Sequence, residues 1–134
     1  MGRQKTMGNQ RILVVEDEDH LSGLLMDLLE IKGYKNVQVA NNGHEGVEKY
    51  KKSRPSIVFM DLEMPVMNGY DSSKEIKKYD PGANIVLITA NPRSPFAQKI
   101  LEEGYASQVI PKPFQFDELL AAIQRSSTSG ILPH

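Results

Sequence analysis

The chain has no cysteine, which excludes disulfides, thiolate metal sites and a cysteine nucleophile, and fits a reducing compartment. It has no excess of either charge, with 16 Lys and Arg against 17 Asp and Glu and a formal net charge of −1. No overall positive field is available to hold a phosphate backbone or an anionic membrane, so direct nucleic-acid binding is not expected. No apolar run approaches the roughly 18 residues of a membrane span, and the opening MGRQKTMGNQ lacks the apolar centre of a signal peptide. A cytoplasmic protein without membrane contact is expected. Neither G-x-G-x-x-G nor G-x-x-x-x-G-K-[ST] occurs, nor H-E-x-x-H or G-x-S-x-G, and His20, His44 and His134 show no ligand spacing.

At 134 residues, 40% of them hydrophobic, the chain suffices for one domain and not for two. Three short apolar runs, Ile12 to Val15, Ile57 to Met60 and Ile85 to Ile88, are rich in β-branched residues and lack polar alternation. They read as parallel strands buried on both sides. Val37 to Ala40 and Ser107 to Ile110 are weaker candidates that would make five. The segments between have helical period. Leu21, Leu24, Leu25, Leu28 and Leu29 form one stripe, with Gly33 placed as a C-terminal cap. Further helices are expected over about His44 to Lys52, with Val47 and Tyr50 inward, and Tyr70 to Lys78. A fourth, Pro95 to Glu103, would turn Phe96, Ile100 and Leu101 inward and stop at Gly104, and a fifth, Phe116 to Arg125, would use Leu119, Leu120 and Ile123. Five alternations of strand and helix predict an α/β fold whose parallel sheet is covered on both faces. The polar residues 1–10 and the Ser-rich residues 126–134 are expected to be mobile ends flanking a domain over 11–125.

In an open parallel sheet, ligands bind beyond the carboxyl ends of the strands. There the sequence places Glu16, Asp17, Glu18 and Asp19 after the first strand, Asp61 after the third, Thr89 after the fourth and Lys112 after the fifth. Unit charges about 4 Å apart repel by roughly 4 kcal/mol at an effective dielectric near 20, so clustered carboxylates need a cation among them. Mg²⁺ suits them, being hard, oxygen-seeking and content with one or two carboxylates plus water and a phosphoryl oxygen. A nucleotide site would instead put glycines where these four acids stand. His20 is expected to be exposed at a helix start, and Met60, Met64 and Met67 to serve in packing.

The segments Leu13-Val14-Val15-Glu16-Asp17-Glu18, Val58-Phe59-Met60-Asp61-Leu62-Glu63-Met64-Pro65-Val66-Met67-Asn68-Gly69, Ile88-Thr89-Ala90 and Lys112-Pro113-Phe114 resemble the signature blocks of response-regulator receiver domains of two-component signalling. The likeness runs over about 11–125 in the family's order and spacing. It implies a flavodoxin-like doubly wound five-stranded parallel sheet, in the order 2-1-3-4-5, with five helices. It further implies that Asp61 is the phosphoacceptor, a carboxylate nucleophile that forms an acyl phosphate. Glu16 and Asp17 would be the acidic pair for Mg²⁺, Asp17 the more direct, joined by an oxygen of Asp61 and the backbone carbonyl of Glu63. Lys112 would pair with Asp61 and then with a phosphoryl oxygen, and Thr89 would hydrogen-bond another. The Lys112–Pro113 bond is usually cis in the family, and Pro65, Asn68 and Gly69 would shape the loop after Asp61.

The resemblance also implies partners: a sensor histidine kinase or histidine phosphotransfer protein as donor, and a downstream target protein, an output domain or a second copy as receiver of the signal. The usual output face lies around the fourth helix, fifth strand and fifth helix, here Phe96, Ile100, Tyr105, Val109 and Leu120. Such a domain assists its own phosphorylation and dephosphorylation without being an enzyme in the ordinary sense. Three departures stand out. Glu16 replaces the commoner aspartate and suggests contact through water, Val109 replaces a rotating aromatic, and Pro111 confines its strand to an edge or an end. Glu63 and Asn91 occupy positions that in the family face attacking water and tune the lifetime of the phosphorylated form, where a carboxylate would either orient water or repel hydroxide. Two other readings are a degenerate receiver that only docks proteins and a haloacid-dehalogenase-like phosphatase. The latter is faintly echoed by Asp61-Leu62-Glu63 but carries its acidic pair in the reverse order.

Overall fold

The computed structural model describes residues 10–64 and 66–129. Strands β1 (Arg11–Val15), β2 (Asn36–Ala40), β3 (Ile57–Asp61), β4 (Ile85–Thr89) and β5 (Gln108–Pro111) alternate with helices α1 (Asp19–Ile31), α2 (Gly43–Ser53), α3 (Gly69–Tyr79), α4 (Pro95–Glu102) and α5 (Phe116–Ser129). The strands form one parallel sheet in the order β2-β1-β3-β4-β5, the flavodoxin-like order that the resemblance implied.

The continuous apolar runs are explained by a core on each face of the sheet. Leu13, Val15, Val58, Met60, Ile85 and Leu87 point to one side, where Val47, Tyr50, Ile76 and Ile100 from α2, α3 and α4 cover them. Ile12, Val14, Ile57, Phe59, Val86 and Ile88 point to the other, under Leu25 and Leu29 of α1 and Leu119 and Ile123 of α5. Each such side chain removed from water contributes about 1.5–3 kcal/mol, and only a double-sided sheet buries both parities of every central strand. The weaker strand signals belong to the edges, where β2 is half exposed and β5 ends in Pro111. A proline at the end of an edge strand removes no ladder bond that a neighbour needs.

Local chemistry sets the helix ends. Glu18, Asn42, Asn68 and Ser94 each accept a backbone N–H of the first turn of α1, α2, α3 and α4. Gly33 and Gly104 have φ of 99° and 77°. The amides of Gly33 and Tyr34 donate to Glu30 and Leu29, and those of Gly104 and Tyr105 to Leu101 and Ile100. This is the left-handed closure that glycine adopts without strain.

Several expectations need correction. Leu24 is 54% exposed, because it lies about 100° round the helix from Leu25 and roughly 140° from Leu29, outside the buried stripe. Phe96 is 56% exposed. It sits on the flank of the face that buries Ala97 and Ile100, and its ring leans on Tyr70 with centroids 6.2 Å apart. Ile100 is fully buried and offers nothing to an output surface, whereas Tyr105, Val109 and Leu120 are half-buried. Helix α5 continues to Ser129, past the expected stop at Arg125, and the Ser126 hydroxyl donates to the carbonyl of Ser56. At the other end Gln10 is buried and its Nε2 donates to the Ile123 carbonyl. The remaining expectations of mobile ends, at 1–9 and 130–134, and the role given to Pro65 lie outside the described residues. His20 is exposed and Met60 and Met64 are buried in the core with Met67 against it, as expected. The Lys112–Pro113 bond is cis. Among the described residues no helix is long and apolar enough to cross a membrane.

Candidate functional site

The sheet delivers its functional side chains to one edge because the strands end in register. Asp61 and Thr89 are the last residues of β3 and β4, with Asp61 beside Ile88 and Thr89 beside Pro111. The ladder continues one residue past three strand ends. Glu16 N–H donates to the Ala40 carbonyl at 2.9 Å, Leu62 N–H to Ile88 at 3.0 Å and Lys112 N–H to Thr89 at 2.9 Å. The backbones of Glu16 and Lys112 are thus as firmly tied as those of the strands.

The side chains then meet. Glu16, Asp17 and Asp61 each offer a carboxylate oxygen, and these oxygens lie within 4.8 Å of one another. Glu16 and Asp61 are each only 3% exposed, whereas Asp17 faces solvent. Lys112 Nζ lies 3.4 Å from Glu16 Oε1 and 3.4 Å from Asp61 Oδ1, so one ammonium serves two buried carboxylates. Further support comes from backbone donors: Glu18 N–H to Glu16 Oε2 at 3.1 Å and Glu63 N–H to Asp61 Oδ1 at 3.3 Å.

The charges are poorly balanced. Burial, and next to it the charge of Glu16, push the Asp61 carboxyl up to about 7, against the opposing pull of Lys112 and the Glu63 amide. For Lys112, burial acts downward, but the attraction of Asp61 and Glu16 outweighs it and the ammonium is held above its ordinary value. Three carboxylates against one lysine leave room for a further cation, and an all-oxygen donor set with two buried members fits a hard divalent ion such as Mg²⁺.

The structure brings together Glu16, Asp17, Asp61 and Lys112, and it places Thr89 at the neighbouring strand end, fully buried. Sequence reasoning missed the partner of Thr89. Its hydroxyl donates to Glu63 Oε2 at 2.6 Å and accepts from the Asn91 N–H at 3.0 Å. The signal was available, since residues just beyond the ends of adjacent parallel strands lie side by side. A second unforeseen feature is an aromatic cluster where α3 meets α4 and the start of β5. Tyr70 lies 5.8 Å from Tyr105 between ring centroids and donates its hydroxyl to Glu103 Oε1 at 2.6 Å. No aromatic stands at Val109, which packs against the core.

Glycine makes the approach of the loops possible. A Cβ at Gly69 would meet the Asp61 carbonyl oxygen at 2.5 Å, and one at Gly43 would strike the Met67 carbonyl. The first turn of α3 is thus packed against the backbone of Asp61, and the loop between them against α2.

Residues 12–124 match the family model described as response regulator receiver domain. The chain is 39% identical over 118 residues to the chemotaxis protein CheY of Thermotoga maritima, covering 88% of this chain and 98% of that protein. It is 38% identical over 116 residues to CheY of Bacillus subtilis, covering 87% and 96%. Among solved structures, the response regulator protein TrrA of Thermotoga maritima superimposes with a TM-score of 0.76 at 33% identity, covering 87% and 98%.

Proposed function

The chain belongs to the response regulator receiver family, and from that premise we propose that it accepts a phosphoryl group on Asp61, assisted by Mg²⁺, from a sensor histidine kinase or a histidine phosphotransfer protein. The observation that carries this reading is the meeting of Glu16, Asp17 and Asp61 oxygens within 4.8 Å, beside a lysine shared by the two buried acids. In the transfer, an oxygen of Asp61 attacks phosphorus, a new O–P bond forms, and the N–P bond of the donor phosphohistidine breaks with the electron pair leaving on the imidazole. Lys112 exchanges its contact with Asp61 for one with a phosphoryl oxygen, and Thr89 donates to another. Asp17, Glu16, Asp61 and the Glu63 carbonyl would hold the ion, which when bound neutralises charge on the transferring group. TrrA was solved in complex with Mg²⁺–BeF, which makes the same pair a natural probe of this site. The phosphorylated state then selects a target protein, an output domain or a second copy through Phe96, Tyr105, Val109 and Leu120 near α4, β5 and α5. The domain is thereby a phosphoacceptor and a signalling module.

Incubation with Mg²⁺ and acetyl phosphate tests the reading. Mass spectrometry should show a gain of one phosphoryl group, removed by hydroxylamine as acyl phosphates are. A protein that folds, binds Mg²⁺ and never gains that mass is a docking module instead, and multiple turnover on a phosphomonoester would favour the phosphatase reading. Replacing Asp17 by Asn should weaken Mg²⁺ binding by at least about tenfold, measured by isothermal titration, since an exposed carboxylate that faces the ion contributes charge as well as a ligand atom.

A further inference from the structure

Thr89 has one hydroxyl proton, and it is committed to Glu63 Oε2 at 2.6 Å. The hydroxyl oxygen meanwhile accepts from the Asn91 N–H at 3.0 Å. Thr89 is fully buried and sits at the end of a central strand, whereas Glu63 is exposed. We propose that Glu63 is a positioning residue that competes with the phosphoryl group for the Thr89 proton, holding the end of β4 in its unphosphorylated arrangement until that group displaces it.

The inference rests on Asp61 being the acceptor, and three observations carry it further. A phosphoryl oxygen and the Glu63 carboxylate are both acceptors only, so one proton cannot serve both. The phosphoryl group brings close to two negative charges, which repel a carboxylate in the same small volume. Thr89 is also mechanically connected. Its oxygen holds the Asn91 amide, the Asn91 carbonyl accepts from Ser94 N–H at 3.0 Å, and Ser94 Oγ caps α4 at the Ala97 amide at 3.1 Å. Moving the hydroxyl from Glu63 to the phosphoryl group therefore pulls a chain of bonds that ends at the first turn of α4. With valine at 109, this chain supplies a link to α4 that needs no rotating aromatic.

The test is a double-mutant cycle on beryllofluoride affinity at saturating Mg²⁺. Glu63→Ala should bind beryllofluoride about tenfold more tightly than the parent, the scale of one hydrogen bond to a charged group. In a Thr89→Val background the same substitution should gain less than about twofold, because no proton remains to compete for. In a Thr89→Ser background, which keeps the hydroxyl, the gain should return. Glu63→Gln, which retains an acceptor without the charge, should fall between parent and Ala. The Asn91 amide resonance should shift in Glu63→Ala before any ligand is added. Equal gains with threonine and valine at 89 would mean that Glu63 acts through its charge alone, and no gain in either would mean that it does not compete; both overturn the proposal. Asp61→Asn separates the two levels. Beryllofluoride binding that survives in it defeats the acceptor reading and this inference together, whereas Asp61-dependent binding without the coupling defeats only this one.

Discussion

The Asp61→Asn variant should gain no phosphoryl group from acetyl phosphate, and in Mg²⁺-free buffer near pH 8 it should unfold at a higher temperature than the parent. The first outcome follows from loss of the proposed nucleophile, because an amide oxygen does not form the acyl phosphate. The second follows from the charge imbalance. Asp61 ionises at about 7 in the fold against an ordinary 3.8, so between those values the folded state holds a proton that the unfolded chain has released. Stability therefore falls as pH rises through that window, and the cost is fully present above the folded value. At about 1.4 kcal/mol per pH unit, a rise of about three units sets a ceiling near 4 kcal/mol. Asparagine keeps only part of the bonding to Lys112 and the Glu63 amide, while Lys112 retains Glu16. The expected gain is about 1–3 kcal/mol, or roughly 3–12 °C in the melting midpoint for a chain of this size. It should shrink as pH is lowered from about 7 and vanish below 3.8, where Asp61 is protonated in both states, and shrink also when Mg²⁺ is added to the parent. A variant that melts below the parent at pH 8 would show that ionised Asp61 stabilises the metal-free fold, with the attraction of Lys112 outweighing burial and the charge of Glu16.

Much of this site was legible because parallel strands buried on both faces announce themselves as unbroken apolar runs, and the residue that follows each run must stand at the functional edge. Asp61, Thr89 and Lys112 are found by counting to the end of a run, without knowing a single contact. The residues misplaced from sequence are those whose position depends on a neighbour several elements away. Leu24 and Phe96 fit a helical period yet face water, since periodicity fixes a stripe to within one residue on either flank and packing decides which flank is covered. The extra turn of α5 escaped because serine-rich composition reads as tail, whereas one bond from Ser126 to Ser56 joins that stretch to the start of β3. The Glu63–Thr89 bond is of the same kind. The order 2-1-3-4-5 makes β3 and β4 neighbours, but the bond also depends on their register and on the turn of the Glu63 side chain, which pattern alone does not supply.

Replacing Gly69 by Ala should be strongly damaging beside the site. The new Cβ would lie 2.5 Å from the Asp61 carbonyl oxygen, 2.8 Å from Leu62 Cα and 3.1 Å from the Asp61 carbonyl carbon. All three are backbone atoms at the strand end that carries Asp61, so no side chain can turn aside to make room. The first turn of α3 must lift, and its Gly69 N–H, which donates to the Leu62 carbonyl at 3.0 Å, must stretch or break. Overpacking of this kind costs about 1–3 kcal/mol and occasionally more, and rigid neighbours on every side place it at about 3 kcal/mol. The gain of up to about 1 kcal/mol from exchanging glycine for alanine in a helix does not offset it. Gly23 supplies the control. It lies exposed inside α1 with nothing within 4 Å of an added Cβ, so Gly23→Ala should stabilise by about 0.5–1 kcal/mol. Urea unfolding of the two variants should therefore separate their midpoints in opposite directions from the parent. Gly69→Ala should also be phosphorylated more slowly by acetyl phosphate at saturating Mg²⁺, because lifting α3 moves the backbone that aims Asp61. Equal stability of Gly69→Ala and the parent would mean that the loop after β3 yields freely, and the close packing of α3 against the strand end would then have no part in orienting the carboxylate.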